Sequence, residues 1–276
     1  MSEKIESYHY GGRLLTRNEK HKYFLDGEPL DGVTSACDEV NDGKSGAMSY
    51  WGADTVTRGV MSRFPESNTI SLDEYKKLAE EARRDLGWAK TDAANIGTIA
   101  HQWIEEYVRS KLLMLPPPHF PTRRESAMAV EAFLRWEEDH RVHFITCEAL
   151  VLSLKNMYAG QMDLIAEVDG PVTQVDFKTS NSFRDTYRLQ TAAYSNAYEE
   201  EHGQPIRKRI VLMLGKETGD FTPVTLPESD YDSDVDGFIH ALGVHRWVKR
   251  KNILYPRKKS KTRQSPQSPG TSSAKT

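Results

Sequence analysis

Asp163, Asp176 and Lys178 are the residues whose types and spacing point most directly to chemistry. Asp169-Gly170 is a turn dipeptide between two alternating apolar runs, Gln161–Val168 and Val172–Thr179, a pattern that predicts a β-hairpin. A loop centred there pairs 168 with 171, 166 with 173 and 164 with 175, and so sets Asp163 opposite Asp176. Pro171 has no N–H to close a two-residue loop, but a four-residue loop from Val168 to Pro171 keeps the same register. Asp176 and Lys178 are two apart and share a strand face with Asp163, a face expected to be polar. Leu164, Ala166, Val168, Val175 and Phe177 make up the opposite, core-facing set. Like charges facing one another across strands destabilise a hairpin. A divalent cation between them would make the pairing favourable, and hard oxygen ligands suit Mg²⁺ or Mn²⁺. An ammonium beside such an ion can orient or deprotonate a water, or offset negative charge developing on a phosphoryl group. An exposed hairpin with an incidental Lys–Asp pair would carry the same residues, so the hairpin alone leaves both readings open.

Other residues fall at suggestive spacings. His101 and Glu105 are one helical turn apart on a single face, as are Gln190 and Tyr194. Gly160, three residues before Asp163, suits a close backbone approach or a bulge beside the site.

The elements that must hold these residues can be read in outline. The first 35 residues read as short strands around Asp26-Gly27, followed by helices at about 48–63, 72–86 and 92–114. Leu115 and the three prolines after it stop the last of these, because consecutive prolines donate no backbone hydrogen bonds. A further helix is predicted over 123–140, then a strand over 144–154, the hairpin, and a helix from 184 to Gly203. Strands at 209–214 and 220–226 and a helix over 234–252 complete the order. Helices, a meander, one helix and more strands indicate an α/β or α+β fold with a mixed central sheet flanked by helices. The expected organisation is one domain over 1–255, with an N-terminal extension (1–92), a catalytic core (93–255) and a disordered basic tail (256–276).

Composition bounds the functional classes. The chain has 276 residues and a formal charge of -3, enough for one full-sized domain. Two cysteines cannot build a disulfide framework or a four-thiolate cluster. No apolar run is long enough to span a bilayer, and the opening MSEKIESYHY is not expected to be a secretory signal. The charge is uneven. Residues 1–245 hold 27 Lys+Arg against 40 Asp+Glu, whereas the remainder holds ten basic residues and no acidic one. Such a tail can tether a protein to nucleic acid through phosphate contacts.

Taken in order, four stretches resemble the PD-(D/E)XK nuclease superfamily, and within it the RecB-like exonuclease branch found in many bacteriophages. They are Gly97-Thr-Ile-Ala-His101-Gln-Trp-Ile-Glu105, Ala159-Gly-Gln-Met-Asp163-Leu-Ile, Val175-Asp176-Phe-Lys178-Thr-Ser180 and Gln190-Thr-Ala-Ala-Tyr194. One departure is Asp176, where Glu is commoner. The resemblance implies a restriction-endonuclease-like core preceded by a helical N-terminal half. It makes His101, Asp163, Asp176 and the Phe177 carbonyl ligands of Mg²⁺ or Mn²⁺, and Lys178 the catalytic lysine. Gln190, Tyr194 and Glu105 would support the site and its substrate, and Glu148 is not assigned as a primary ligand. No iron–sulfur cluster is expected. The implied activity is metal-dependent hydrolysis of DNA phosphodiesters, of exonuclease type, in phage or bacterial replication, recombination or degradation. DNA, single-stranded or with free ends, would be the substrate, with a recombination or replication protein as partner, no membrane, and the bacterial cytoplasm as location. The competing reading is a non-catalytic nucleic-acid-binding or assembly protein of the same fold.

Overall fold

A computed structural model of the protein describes residues 6–40, 44–66 and 69–254; the basic tail from 256 lies outside these. The chain opens with four short strands, β1 (Glu6–Tyr10), β2 (Arg13–Arg17), β3 (Tyr23–Leu25) and β4 (Glu28–Gly32), and a one-turn helix, α1 (Val33–Cys37). Two long helices follow, α2 (Lys44–Met61) and α3 (Leu72–Leu113), then α4 (Arg124–Asp139). The strands β5 (Val142–Ser153), β6 (Tyr158–Val168) and β7 (Val172–Lys178) form the meander. After them come α5 (Thr186–His202), β8 (Lys208–Leu214), β9 (Phe221–Leu226) and α6 (Tyr231–Leu254). Among the described residues no helix is long and apolar enough to cross a membrane.

The sequence predicts two helices where the structure has one, α3. Gly87 costs about 1 kcal/mol in a helix interior, which is too little to break a helix held by tertiary contacts. Ala82, Ile96, Ala100, Ile104 and Val108 stay buried through its length. Its start is fixed by a capping box in which Ser71 Oγ accepts from the Glu74 N–H and Glu74 accepts from the Ser71 N–H.

The sheet has nine strands in the order β1-β2-β3-β4-β6-β7-β8-β9, with β5 on the other edge of β6. β4–β6 and β7–β8 run parallel and all other pairs antiparallel. Helices cover both faces. α3 and α4 bury Ile104, Val108, Phe133 and Trp136 against Leu164, Ala166, Val168, Val175 and Phe177, the set predicted to face the core. The opposite face is the one expected to be polar, and here the structure corrects the sequence reading. α1, α5 and α6 pack Ala36, Ala193, Ala197 and Phe238 onto Tyr158, Met162 and Ile165. Asp176 is consequently only 1% exposed.

β6 is a fork. One edge takes β5 along nearly its whole length. The other edge takes β4 at Tyr158 and Ala159, then β7 from Leu164 to Glu167. Neither neighbour pairs with the stretch from Gly160 to Asp163. The β5 ladder also passes from Ala149–Met162 to Cys147–Leu164 without pairing Glu148 and Asp163. Side-chain alternation reverses at this point: Tyr158 and Met162 face the α5 side, whereas Leu164, Ala166 and Val168 face the α3 side. A residue free of ladder bonds on both edges can rotate its peptides, and that residue is Asp163.

Candidate active site

The hairpin closes in the expected register, Leu164 against Val175 and Ala166 against Thr173. Pro171 serves as acceptor, its carbonyl taking the Val168 N–H at 3.1 Å, so the loop needs no N–H from proline. The ladder stops at Leu164–Val175, one step short of Asp163 and Asp176. In place of a ladder bond, the Phe177 N–H donates to Asp163 Oδ2 at 2.7 Å. That bond fixes the carboxylate at the mouth of the fork.

Two further side chains approach it. His101, on α3, sets Nδ1 3.8 Å from Asp163 Oδ2. Its ring stands edge-on to Phe177 at 5.8 Å. Glu148 arrives from β5 in the left-handed conformation, φ 50°. For a residue other than glycine this costs roughly 1–2 kcal/mol, and it turns the carboxylate off the strand. His101, Glu148 and Asp163 each offer an atom within 4.8 Å of the other two, a spacing that fits one cation. Imidazole with two carboxylates suits a divalent metal ion.

The electrostatics agree with that fit. Burial pushes the Glu148 carboxyl up to about 8, with Asp163 and Glu105 adding to the rise. Burial also raises Asp163, against the pull of Lys178 and the Phe177 N–H. His101 is held down at about 4 by burial and the Lys178 charge, so its imidazole is neutral and keeps a lone pair. Crowded, half-buried acids with raised pKa values lack counter-charge, and a divalent ion supplies it.

Asp176 is not part of that three-residue cluster. Its Oδ2 is 2.6 Å from Lys178 Nζ, and the two form a nearly dry ion pair. Burial lifts Asp176 to about 6 despite the lysine. Burial alone would lower the Lys178 pKa, but Asp176 and Asp163 outweigh it and the net shift is upward. The Tyr187 ring lies 4.9 Å from the ammonium and holds it from the α5 side.

Gln190 and Tyr194 do face one another on α5, Gln190 Nε2 donating to the Tyr194 hydroxyl at 2.8 Å. Burial drives the Tyr194 phenol well above its usual range. Its ring lies against Gly160, where a Cβ would sit 2.7 Å from Tyr194 Cδ1 and closer still to Cε1. Glycine is therefore what lets α5 reach the fork. Glu105 lines the same cleft but pairs with Arg109 at 2.9 Å. The cleft is about 1270 Å³ and is walled by α3, the β2–β3 loop and the fork, with His101, Glu148, Asp163 and Lys178 along it.

The structure thus sets His101, Asp163, Asp176, Phe177 and Lys178 near one another and Glu105 on the wall. It brings Glu148, which was not assigned as a primary ligand, into the cluster, and adds Tyr187, which the sequence reading did not single out. The one signal for Glu148 was a lone acid ahead of the apolar run Ala149-Leu-Val-Leu152. Nothing in the sequence marks its left-handed backbone.

The profile of the PD-(D/E)XK nuclease superfamily matches residues 75–243. No curated protein matches the chain. The matched stretch covers α3 to α6 and with them the fork, the His101 turn and the Asp176–Lys178 pair. This chain belongs to the PD-(D/E)XK nuclease superfamily.

Proposed function

We propose that the protein is a Mg²⁺- or Mn²⁺-dependent deoxyribonuclease acting from free DNA ends, in phage or bacterial DNA replication, recombination or degradation. The observation that carries this reading is the convergence of His101, Glu148 and Asp163 within 4.8 Å, beside the Lys178–Asp176 pair. His101, Asp163 and Glu148 would hold the cation, with Asp176 and the Phe177 carbonyl completing its surroundings. A divalent cation held there would supply Lewis-acid chemistry, polarising a water and a phosphoryl oxygen.

Hydrolysis forms a bond from water oxygen to phosphorus in line with the ester oxygen that leaves. The water gives up one proton to solvent, and the departing oxygen takes one from solvent. Asp176 and Asp163 favour the charged form of Lys178, which makes it a hydrogen-bond donor in this reading. Its role is to donate hydrogen bonds to the phosphoryl oxygens as their charge grows, a contribution worth roughly 10²–10³ in rate. Asp176 and the Tyr187 ring aim it. Gln190 and Tyr194 set the α5 wall of the same cleft.

The test is cleavage of end-labelled single-stranded, double-stranded and circular DNA with Mg²⁺, Mn²⁺ or EDTA. Linear DNA is shortened from its ends, circles survive, and EDTA stops the reaction. Full activity in Asp176→Ala, or in EDTA, would falsify the assignment.

A further inference from the structure

The matched stretch begins at residue 75, yet a wall of the cleft comes from the N-terminal meander. Among the described residues five Lys and Arg line that cleft: Arg17, Lys20, Lys22, Arg109 and Lys178. Three are committed to carboxylates, Arg17 to Glu6 at 2.9 Å, Arg109 to Glu105 at 2.9 Å and Lys178 to Asp176 at 2.6 Å. Lys20 and Lys22 are exposed, and among the described residues their ammonium groups have no ion-pair partner.

The turn that carries them is built rather than loose. Asn18 Oδ1 accepts the N–H groups of Lys20 and Lys22 at 3.1 and 3.0 Å. The Asn18 N–H donates to the Lys22 carbonyl at 3.1 Å and its carbonyl accepts the His21 N–H at 2.8 Å. His21 takes the left-handed conformation that closes the loop, and its ring meets Arg17. Arg17 in turn is anchored on Glu6, and Glu6 also takes a hydrogen bond from Gln161 on β6. The loop is therefore fixed to the strand that carries Asp163.

We propose that the Asn18–Lys22 turn is a phosphate grip for a single nucleic-acid strand lying in the cleft between the turn and α3, with Lys20 and Lys22 as the contacting groups and Asn18 as the residue that positions them. Two free ammonium groups on one rigid turn match a backbone of regularly spaced phosphates. The cavity exceeds the ~300–1,000 Å³ of a small-molecule site, which leaves room for several nucleotides of one strand. The α3 wall presents Glu105 and Glu106, and the meander wall Glu6, held by Arg17, and Glu19. Among the described residues Lys20 and Lys22 are therefore the cleft cations left without an ion-pair partner to draw a strand toward the meander. This inference rests on the nuclease reading for the kind of ligand, and on the turn alone for its place.

The experiment measures binding of a fluorescein-labelled single-stranded oligonucleotide to the full chain by anisotropy in EDTA, across a KCl series, with a duplex of the same sequence alongside. Lys20→Ala/Lys22→Ala is expected to bind the single strand roughly tenfold more weakly at low salt. The slope of log affinity against log salt should become shallower by about 1.4, at ~0.7 per lost single-strand contact. In Mg²⁺ the same variant raises KM and keeps kcat. Asn18→Ala lowers affinity with the slope kept, since the lysine charges remain. Wild-type affinity and slope in the double variant overturn the proposal, as does a loss confined to the duplex. A wild type that binds through these lysines but cuts nothing overturns the nuclease reading and leaves the grip standing. One that binds no nucleic acid overturns both.

Discussion

The two ends of β6 are held in different ways. From Leu164 onward the strand is paired on both edges and packed on both faces, and Leu164, Ala166 and Val168 are at most 1% exposed. At its start it has two residues paired with β4, and then an edge with no neighbour until Leu164. His101, Glu148, Asp163 and the Asp176–Lys178 pair border this gap. A fully laced sheet satisfies its own backbone and leaves nothing to aim at a ligand. A lapse in the ladder frees one peptide to bond a carboxylate, as Phe177 does for Asp163. The same lapse lets Glu148 adopt a backbone conformation that a regular strand forbids.

The largest effect comes from removing the charge at the edge of the gap while leaving the laced end untouched. Lys178→Met should lower cleavage by roughly 10²–10³, the usual cost of one preorganised donor. The fold should survive, because Asp176 is already raised to about 6 and can take a proton once the ammonium is gone. Asp176→Asn is the harsher change for stability. It strands Lys178 without its partner, at about 3–5 kcal/mol for a buried pair broken on one side. Thermal melts of both variants at pH 7 check this order, and equal melting temperatures would mean that the pair is more hydrated than its burial implies.

Glycines at the two ends make the next contrast. Gly160→Ala places a methyl group on the Tyr194 ring, so about 1–3 kcal/mol of overpacking should come with a loss of activity as α5 is displaced. Gly170, in the hairpin turn at φ 120°, has open space around it. Gly170→Ala should cost stability through backbone strain alone and leave kcat unchanged. If both variants lose activity in proportion to stability, the gap has no special role in holding the site.

Much of the laced end was legible in the sequence. The Asp169-Gly170 turn and the alternation on either side fix the β6–β7 register, because period-2 patterning and turn chemistry are local. The His101–Glu105 and Gln190–Tyr194 spacings were equally readable from helical geometry. What escaped was non-local. The β4–β6 pairing joins residues more than a hundred positions apart, and neither strand carries a pattern that announces its partner. That the predicted helices would cover the expected polar face went unseen for a similar reason. Ala192, Ala193 and Ala197 are too small to stand out as an apolar stripe, yet their size is what permits α5 to lie close. Glu148 was underweighted because the conformation that makes it useful is imposed by the strands around it.

The acids around the gap also set how a cation and a proton compete. Glu148 and Asp176 are raised, to about 8 and about 6, so between the unfolded carboxylate range and those values the folded chain binds more protons than the unfolded one. Stability of the metal-free protein should therefore fall as pH climbs from about 5 to 8. A divalent cation displaces those protons, so the rise in melting temperature with Mg²⁺ or Mn²⁺ should grow across the same window. Glu148→Gln should flatten that growth. A metal-induced shift of equal size at pH 6 and pH 8.5 would place the binding groups elsewhere.

The smallest expected effect isolates the strain at Glu148. Asn tolerates the left-handed region far better than Ala or Glu, while neither Asn nor Ala supplies a carboxylate. Both Glu148→Asn and Glu148→Ala should weaken cation binding and cleavage, and both relieve the cost of a buried acid. They differ only in backbone. Glu148→Asn should thus be the more stable of the two by about 1 kcal/mol, or roughly 2–4 °C in Tm for a domain of this size. At the laced end, an Asn replacing a regular strand residue such as Thr173 should show no such advantage over Ala, because no left-handed conformation is there to be relieved. Equal stability of the two Glu148 variants would mean that the neighbouring strands, rather than the side chain's own preference, bear the cost of pointing that carboxylate into the gap.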